Sequence, residues 1–520
     1  MKLAVCALLS ITVCLPVKAE SLFEVSASDP LPTEISPTFV VDEIEVKGNT
    51  ILESEINKLI KPYRNRRVSF EDLDKLTSSI DRLYVSKGYP NSGAYLPPQK
   101  IKSGKVKLFV IEGSISDVNV TGTDGLNPEY VSSRLSSLPT PLDSKRLLDK
   151  LYVLRQDPLI ESVSATLAAG VDPGSSILNV EIKEAKPWSI SLSNNNYQSP
   201  SIGTNARTLN LEHLNLLGFG DRGSFTYTNT SGSDRLNFGY SVPYGSTGRI
   251  SAGYGFASND VIEEAFNALD IESESNYWQL GITQGIVNRA ERKVNFGLEF
   301  TRQHGETTLL DSPFALSRGA DESGNTNVSA LRFSQDYIGR GNDSVFALRS
   351  VFSLGIDAFD ATISKDSPDG RFFSWVGEGQ YVKNFSEDLP LLLRSNVQLA
   401  GSELVALEQF RAGGTGSVRG YRQDLLLADS GIYAGAEVRL PVWRIDRFDG
   451  LVQVAPFFDF ATLWNNGDLK LTSNTLVSLG VGLNFNALGD RFNARIDLGI
   501  PLTDVKADDH PVSFSLQHSF

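Results

Sequence analysis

The chain has 520 residues and a formal net charge of −14. That length exceeds one ordinary domain, and the acidic balance argues against a nucleic-acid binder. Both cysteines, Cys6 and Cys14, precede Glu20, so the remainder can form no disulfide, thiol nucleophile or cysteine metal site.

Lys2 leads into an apolar run from Leu3 to Val17, and Val17-Lys18-Ala19 precedes Glu20. A charged start, a short apolar middle and small residues at the end predict a secretory signal peptide over residues 1–19, with a retained anchor as the alternative. Residues 20–38 are rich in Pro and Ser and read as a linker. No later stretch approaches the ~20 continuous apolar residues of a membrane helix, so only a closed sheet could cross a membrane.

An internal repeat follows, each copy roughly 70–75 residues long. The copies cover residues 39–114 and 115–186 and open on Ile44-Glu45-Val46-Lys47-Gly48 and Val118-Asn119-Val120-Thr121-Gly122. Each opening is an alternating strand stopped by glycine. In copy one, Ser69 and Asp72 predict a capping box, followed by an apolar face of Phe70, Leu73, Leu76, Ile80, Leu83 and Tyr84. In copy two, Asn127 caps a helix with Pro128 in its first turn. The strands Lys105–Val110 and Ile177–Ile182 close the copies, for a shared order of strand, helix, helix, strand, strand. Two unrelated small α+β domains are the alternative.

From residue 187 to 520 helical periodicity gives way to alternation. Phe225 and Tyr227 alternate with Ser224, Thr226 and Thr228; Val477, Leu479, Val481 and Leu483 alternate with Ser478, Gly480, Gly482 and Asn484. Many runs reach ~9–13 residues, and about sixteen strands are counted, as for an antiparallel transmembrane barrel. Connections after even strands are short, near Pro243–Thr247, Asn288–Glu291, Gly339–Asn342 and Ser386–Leu389. Those after odd strands are mostly long, near Ser258–Asn276, Gly305–Asn325, Asp357–Gly370 and Ser402–Asp429. Short turns at one rim and long loops at the other mark an outer-membrane barrel; a soluble sandwich has no reason to segregate them. The phase turns Glu437, Arg439, Arg495 and Asp497 to the lumen, and Phe520 ends the last strand as an interfacial aromatic.

The loop at about 403–429 contains Gly413, Gly414, Gly416, Val418, Arg419, Gly420 and Tyr421. Its glycines lack the strand–loop–helix setting of a phosphate-binding loop, so no nucleotide is expected. The sharper reading is a loop folded into the lumen between the eleventh and twelfth strands, carrying Arg419 to an inward acid. Along Gln453–Ala461 the alternation points Phe458 outward and Asp459 inward, making Asp459 the candidate partner; an acid solvated by lumen water is the alternative. His213, His304, His510 and His518 match no metal spacing, and no serine sits in a nucleophile elbow, so neither an enzyme nor a cofactor is expected.

Several motifs resemble one family. Val418-Arg419-Gly420-Tyr421 is similar to its loop signature, and Phe457-Phe458-Asp459 to its later strand motif. Glu437, Arg439 and Pro441 match the strand after the loop, and Gly88-Tyr89-Pro90 through Leu96-Pro97-Pro98-Gln99 to Glu112-Gly113 matches its first periplasmic domain. The family is the outer-membrane transporters of two-partner secretion (the ShlB/FhaC/HecB haemolysin activation/secretion group), within the superfamily of barrels preceded by polypeptide-transport-associated (POTRA) domains. The resemblance implies two POTRA domains and a sixteen-stranded outer-membrane barrel. It implies capture of an unfolded, strand-rich partner exoprotein in the periplasm and passage through the barrel as the Arg419 loop shifts. The driving force would be the cargo's folding outside. Outer-membrane lipid and the barrel assembly machinery would be the other partners. Ala461 departs from the pattern, which has Gly there, and residues 20–38 look too short and Pro-rich for a plug helix. A barrel-assembly factor of the same superfamily and a passive porin are the competing functions.

Overall fold

The computed structural model describes residues 37–365, 368–505 and 510–520, so the expected signal peptide and nearly all of the linker lie outside the described residues. The chain divides into two compact units. The first holds the first repeat with Pro139–Asp143 and Gly170–Ser175; the second holds the rest of the second repeat and everything after it.

In the first unit, Glu43–Lys47 runs parallel to Lys105–Ile111, which pairs on its other side with Gly93–Tyr95. The helix Phe70–Ser86 starts as its sequence dictates. The Ser69 hydroxyl accepts from the Asp72 amide at 3.1 Å, and the Asp72 carboxylate accepts from the Ser69 amide at 2.9 Å. Leu73, Leu76, Ile80 and Tyr84 are buried in one cluster with Val106 and Leu108, each contributing ~1.5–3 kcal/mol of apolar burial. Phe70 was expected on this face but is 48 % exposed. It opens the helix beside an additional two-stranded sheet, Thr38–Val41 with Arg66–Ser69, and its ring meets Phe39 at 5.0 Å. The Lys105–Ile111 strand is central and paired on both sides, so it offers no open edge.

Glu112 ties the end of this strand to the start of the helix Glu53–Ile60. Its carboxylate accepts from the amides of Thr50 and Ile51 at 2.8 and 3.1 Å, from the Thr50 hydroxyl, and from the Tyr84 phenol at 2.9 Å. Burial alone would raise this carboxyl, but the Thr50, Ile51 and Tyr84 donors outweigh it and hold it below the usual glutamate value.

In the second unit, the second repeat runs Ser114–Thr121, Pro128–Leu135, Ser144–Arg155, Ile160–Ala169 and Ser175–Glu184, the predicted order. Its last strand is central, burying Leu178, Val180 and Ile182 on one face. The Asn127 side chain accepts from the Glu129 amide at 2.9 Å, and Pro128 sits in the first turn.

Beyond it, sixteen antiparallel strands close into a barrel between Trp188–Asn195 and Val512–Ser519. Leu479, Val481 and Leu483 project outward, as do Ile496, Leu498 and Ile500, while Ser478, Asn484 and Asp497 are buried inside. The turns 245–247, 289–291 and 341–343 are short, and the opposite connections 310–324, 356–372 and 401–429 are long. Two connections differ from expectation. The sixth and seventh strands, Ile271–Asn288 and Arg292–Leu309, each run 18 residues. They therefore take into the sheet much of what the sequence assigned to loops. The connection 214–221 lies at the short-turn rim yet is longer than its neighbours there, and in it Asn215 donates to the Gly125 carbonyl of the second repeat at 2.9 Å.

Glu112→Gln removes an anionic acceptor and should loosen the first repeat by about 1–3 kcal/mol. Because the folded value is lowered, this contribution is complete above pH ~4.5 and fades as pH falls through the folded value. Hydrogen exchange on the intact chain should show faster exchange across residues 50–60 in the variant at neutral pH, converging with the wild type in acid. Equal protection at neutral pH would contradict the role assigned to Glu112.

Candidate functional site: a lumenal arginine on an in-folded loop

The connection between the eleventh strand, Pro390–Ala400, and the twelfth, Ser430–Val438, carries its own small hairpin of Phe410–Ala412 against Leu426–Ala428. The glycine-rich segment forms its tip. Gly413 and Gly414 have φ of +112° and +84°, and the Gly413 amide donates to the Ser417 hydroxyl at 2.8 Å. Gly416 has ordinary backbone and open space around it, so its place in the motif has no steric basis here. Gly420, at φ +94°, lies so close to the fifteenth strand that an added Cβ would come within 2.8 Å of the Gly499 backbone.

Three neighbours hold this tip. Val418 is fully buried in an apolar cluster with Tyr433, Ala461 and Leu463, so the departure at position 461 lies at the tip's own contact surface. Tyr421 bonds the Val477 carbonyl at 2.8 Å, the Thr503 hydroxyl at 2.6 Å and the Thr503 amide at 3.1 Å. Between them Arg419 reaches the inner wall. Its Nε and Nη2 donate to the two carboxylate oxygens of Asp459 at 2.7 and 3.0 Å, and its Nη1 to Glu437 at 2.7 Å. The guanidinium lies 3.4 Å from the centroid of the Phe457 ring.

The network extends past the expected pair. Arg495 donates to Asp497 at 2.6 and 2.7 Å and to Glu437 at 2.7 Å, and Arg439 donates to Glu437 at 2.8 Å. Asp497 lies 3.7 Å from Arg419. Three guanidinium groups thus face three carboxylates. The side chains of Arg419, Asp459 and Glu437 are 3 %, 0 % and 4 % exposed, so the central pair is closed to water rather than bathed in it. Fork-on-carboxylate geometry of this kind favours arginine over lysine.

Alternation turned Arg495 and Asp497 to the lumen but did not join them to the loop. Their signal was two opposite charges two residues apart on a strand whose only other polar side chain is Asn493. Phe457 was singled out as motif, yet its role as a ring beneath the cation needs the three-dimensional register. Phe458 projects outward, and the exposed Phe520 ring packs edge-on against His518 with centroids 4.5 Å apart.

Further ion pairs hold the loop's flanks. Arg422 grips Glu263 at 2.9 and 2.7 Å, Arg318 meets Glu403 at 2.8 Å, and Arg332 meets Glu408 at 2.6 Å. Asp429, fully buried, accepts from the amides of Leu404 and Asn466 at 2.9 and 3.0 Å.

A closed barrel with an apolar outer belt, two small α+β repeats before it and a loop pinned inside it define an outer-membrane transporter with periplasmic POTRA domains. The chain belongs to the haemolysin secretion/activation protein family ShlB/FhaC/HecB, whose model matches residues 174–485. The ShlB-type POTRA domain model matches residues 39–113. The chain is 24 % identical to the outer membrane transporter CdiB of Escherichia coli strain 536, over 91 % of this chain and 81 % of CdiB. It is 23 % identical to the heme/hemopexin transporter protein HuxB of Haemophilus influenzae 86-028NP, over 96 % and 91 %. The solved CdiB from Escherichia coli shares the fold with a TM-score of 0.72 at 20 % identity, covering 95 % of this chain and 93 % of that one. The protein is a two-partner secretion transporter and not an enzyme.

Asp459→Ala leaves a buried guanidinium short of its bidentate partner, a loss of ~3–5 kcal/mol. Gly420→Val forces the loop off the Gly499 backbone. Both variants should open the part-buried Arg422 to trypsin in the detergent-purified protein, while the wild-type site resists. Cleavage no faster than wild type in either variant would show that the tip is not held by these contacts.

Proposed function

We propose that the barrel exports an unfolded partner exoprotein, that the POTRA repeats capture it in the periplasm, and that the Arg419 loop gates the lumen. The observation that carries the gating reading is the buried, charge-paired seat of Arg419 at the tip of a glycine-rich loop. A seat of several kcal/mol closes the lumen at rest. Displacing the loop by cargo exchanges that seat for water-filled space, so the two states can lie within a few kcal/mol of each other.

Capture is read as strand addition to an unpaired sheet edge. In the second repeat the edges are Ser114–Thr121 and Ile160–Ala169, the latter ten residues long and solvent-exposed over most of its length. In the first, the edges are Glu43–Lys47 and Gly93–Tyr95. Outer-membrane lipid solvates the outward Leu, Ile and Phe belt. The barrel assembly machinery would insert the chain, with Phe520 as its terminal aromatic signal.

Arg419→Ala should abolish secretion of the partner while the barrel still inserts, as judged by heat-modifiable migration. Arg419→Lys should secrete poorly, since one ammonium cannot span Asp459 and Glu437 as the guanidinium fork does. Secretion at the wild-type level in Arg419→Ala would reject the gate. Deleting residues 39–113 should remove co-purification of the partner, and an undiminished pull-down would move capture to another part of the chain.

A further inference from the structure

Where the second POTRA repeat meets the short-turn rim of the barrel there is a cavity of about 300 Å³. The repeat contributes Arg134 and Lys150 to it, and the third, fifth and seventh strands contribute Arg222, Arg249 and Lys293. These last three alternate with outward residues such as Ile250, so they face the lumen and not the lipid. One carboxylate, Asp157, shares the lining, and it is occupied by the Tyr130 phenol at 2.6 Å and the Leu159 amide at 3.0 Å.

The five cations form no salt bridge among the described residues. Arg134 lies on the Tyr130 ring at 3.5 Å, and Lys150 donates to the Arg134 carbonyl at 2.9 Å and the Ser137 hydroxyl at 2.6 Å. Arg249 donates to the Ser241 hydroxyl at 3.0 Å and the Gly220 carbonyl at 3.4 Å. Arg222 Nε is buried with no hydrogen-bond partner, and Arg340 Nη1, one strand beyond Lys293, is in the same state. Burial also lowers the Lys150 ammonium below the usual lysine value. Arg419, by contrast, has carboxylates on two sides of its guanidinium. A chain of net charge −14 has acids to spare, yet the lining sets five cations against one carboxylate. Like charges packed together and partly desolvated are costly unless an anion joins them.

We propose that this cavity is a subsite for acidic side chains of a polypeptide, Asp or Glu of the exported chain, at the periplasmic mouth of the barrel. The inference rests on the export reading for the source of the peptide. Three observations favour a peptide carboxylate: the lumenal phase of Arg222, Arg249 and Lys293 keeps lipid headgroups away, the cavity is of small-ligand size, and it lies on the route from the second repeat into the lumen. Such a site would hold a passing chain in register by reversible charge pairing and would weaken with salt.

The test uses the full chain in neutral detergent and a fluorescein-labelled Glu/Ser peptide, with a Gln/Ser peptide of equal length as control, read by fluorescence anisotropy. The Glu peptide should bind and the Gln peptide should not. Arg222→Gln combined with Lys293→Gln should weaken binding about tenfold, equivalent to ~1.4 kcal/mol. Arg222→Lys combined with Lys293→Arg should keep it, which separates lost charge from lost folding. Equal binding of the two peptides, or wild-type affinity in the double Gln variant, would overturn the subsite. Displacement by inorganic phosphate at the same molar concentration would reassign it to small anions and overturn the peptide assignment. Binding is read without secretion, so a protein that secretes normally as Arg419→Ala but binds the Glu peptide would lose the gate and keep this site.

Discussion

One buried cation governs the interior of this barrel. Arg419 sits on a loop that contributes glycines, a valine and a tyrosine around it, and its position is set by Asp459, Glu437 and the Phe457 ring on the neighbouring twelfth and thirteenth strands. At 3 % exposure a guanidinium without these partners would be costly. The loop therefore has one well-defined seat rather than a range of them.

The wall that supplies those partners is constrained from its other side. Each strand must turn apolar residues to lipid, so every second position is free to be polar, and the lumenal charges occupy those positions. Glu437, Asp459, Arg495 and Asp497 come from the twelfth, thirteenth and fifteenth strands. Barrel closure and strand register bring them together. The glycine pair Gly420 and Gly499 then lets the loop backbone lie against the sheet, where a side chain on either would hold them apart.

The rim below uses charge differently. The cluster around Arg222, Arg249 and Lys293 is not neutralised, while the cluster above it is. Under the proposed function, the balanced seat would hold the lumen shut and the under-compensated cluster would draw a chain in. Both rest on the same strand alternation, read at different heights in the barrel.

Local patterns determined a good deal of this protein. The capping box of Ser69 and Asp72, the Asn127 cap and the period-two strands are legible because they depend on neighbours within a few residues. Lipid adds to that legibility, since a solvent outside the sheet forces a phase on each strand that can be read without knowing its partners. The inward setting of Asp459, Glu437, Arg495 and Asp497 follows from phase alone. Which inward groups meet does not. The union of Arg419 with carboxylates on three strands, the ring of Phe457 beneath it, the central place of Lys105–Ile111 and the exposed Phe70 depend on register and closure between segments far apart in the chain. Only the tertiary structure decides those, because a contact between distant residues is set by the geometry of everything between them.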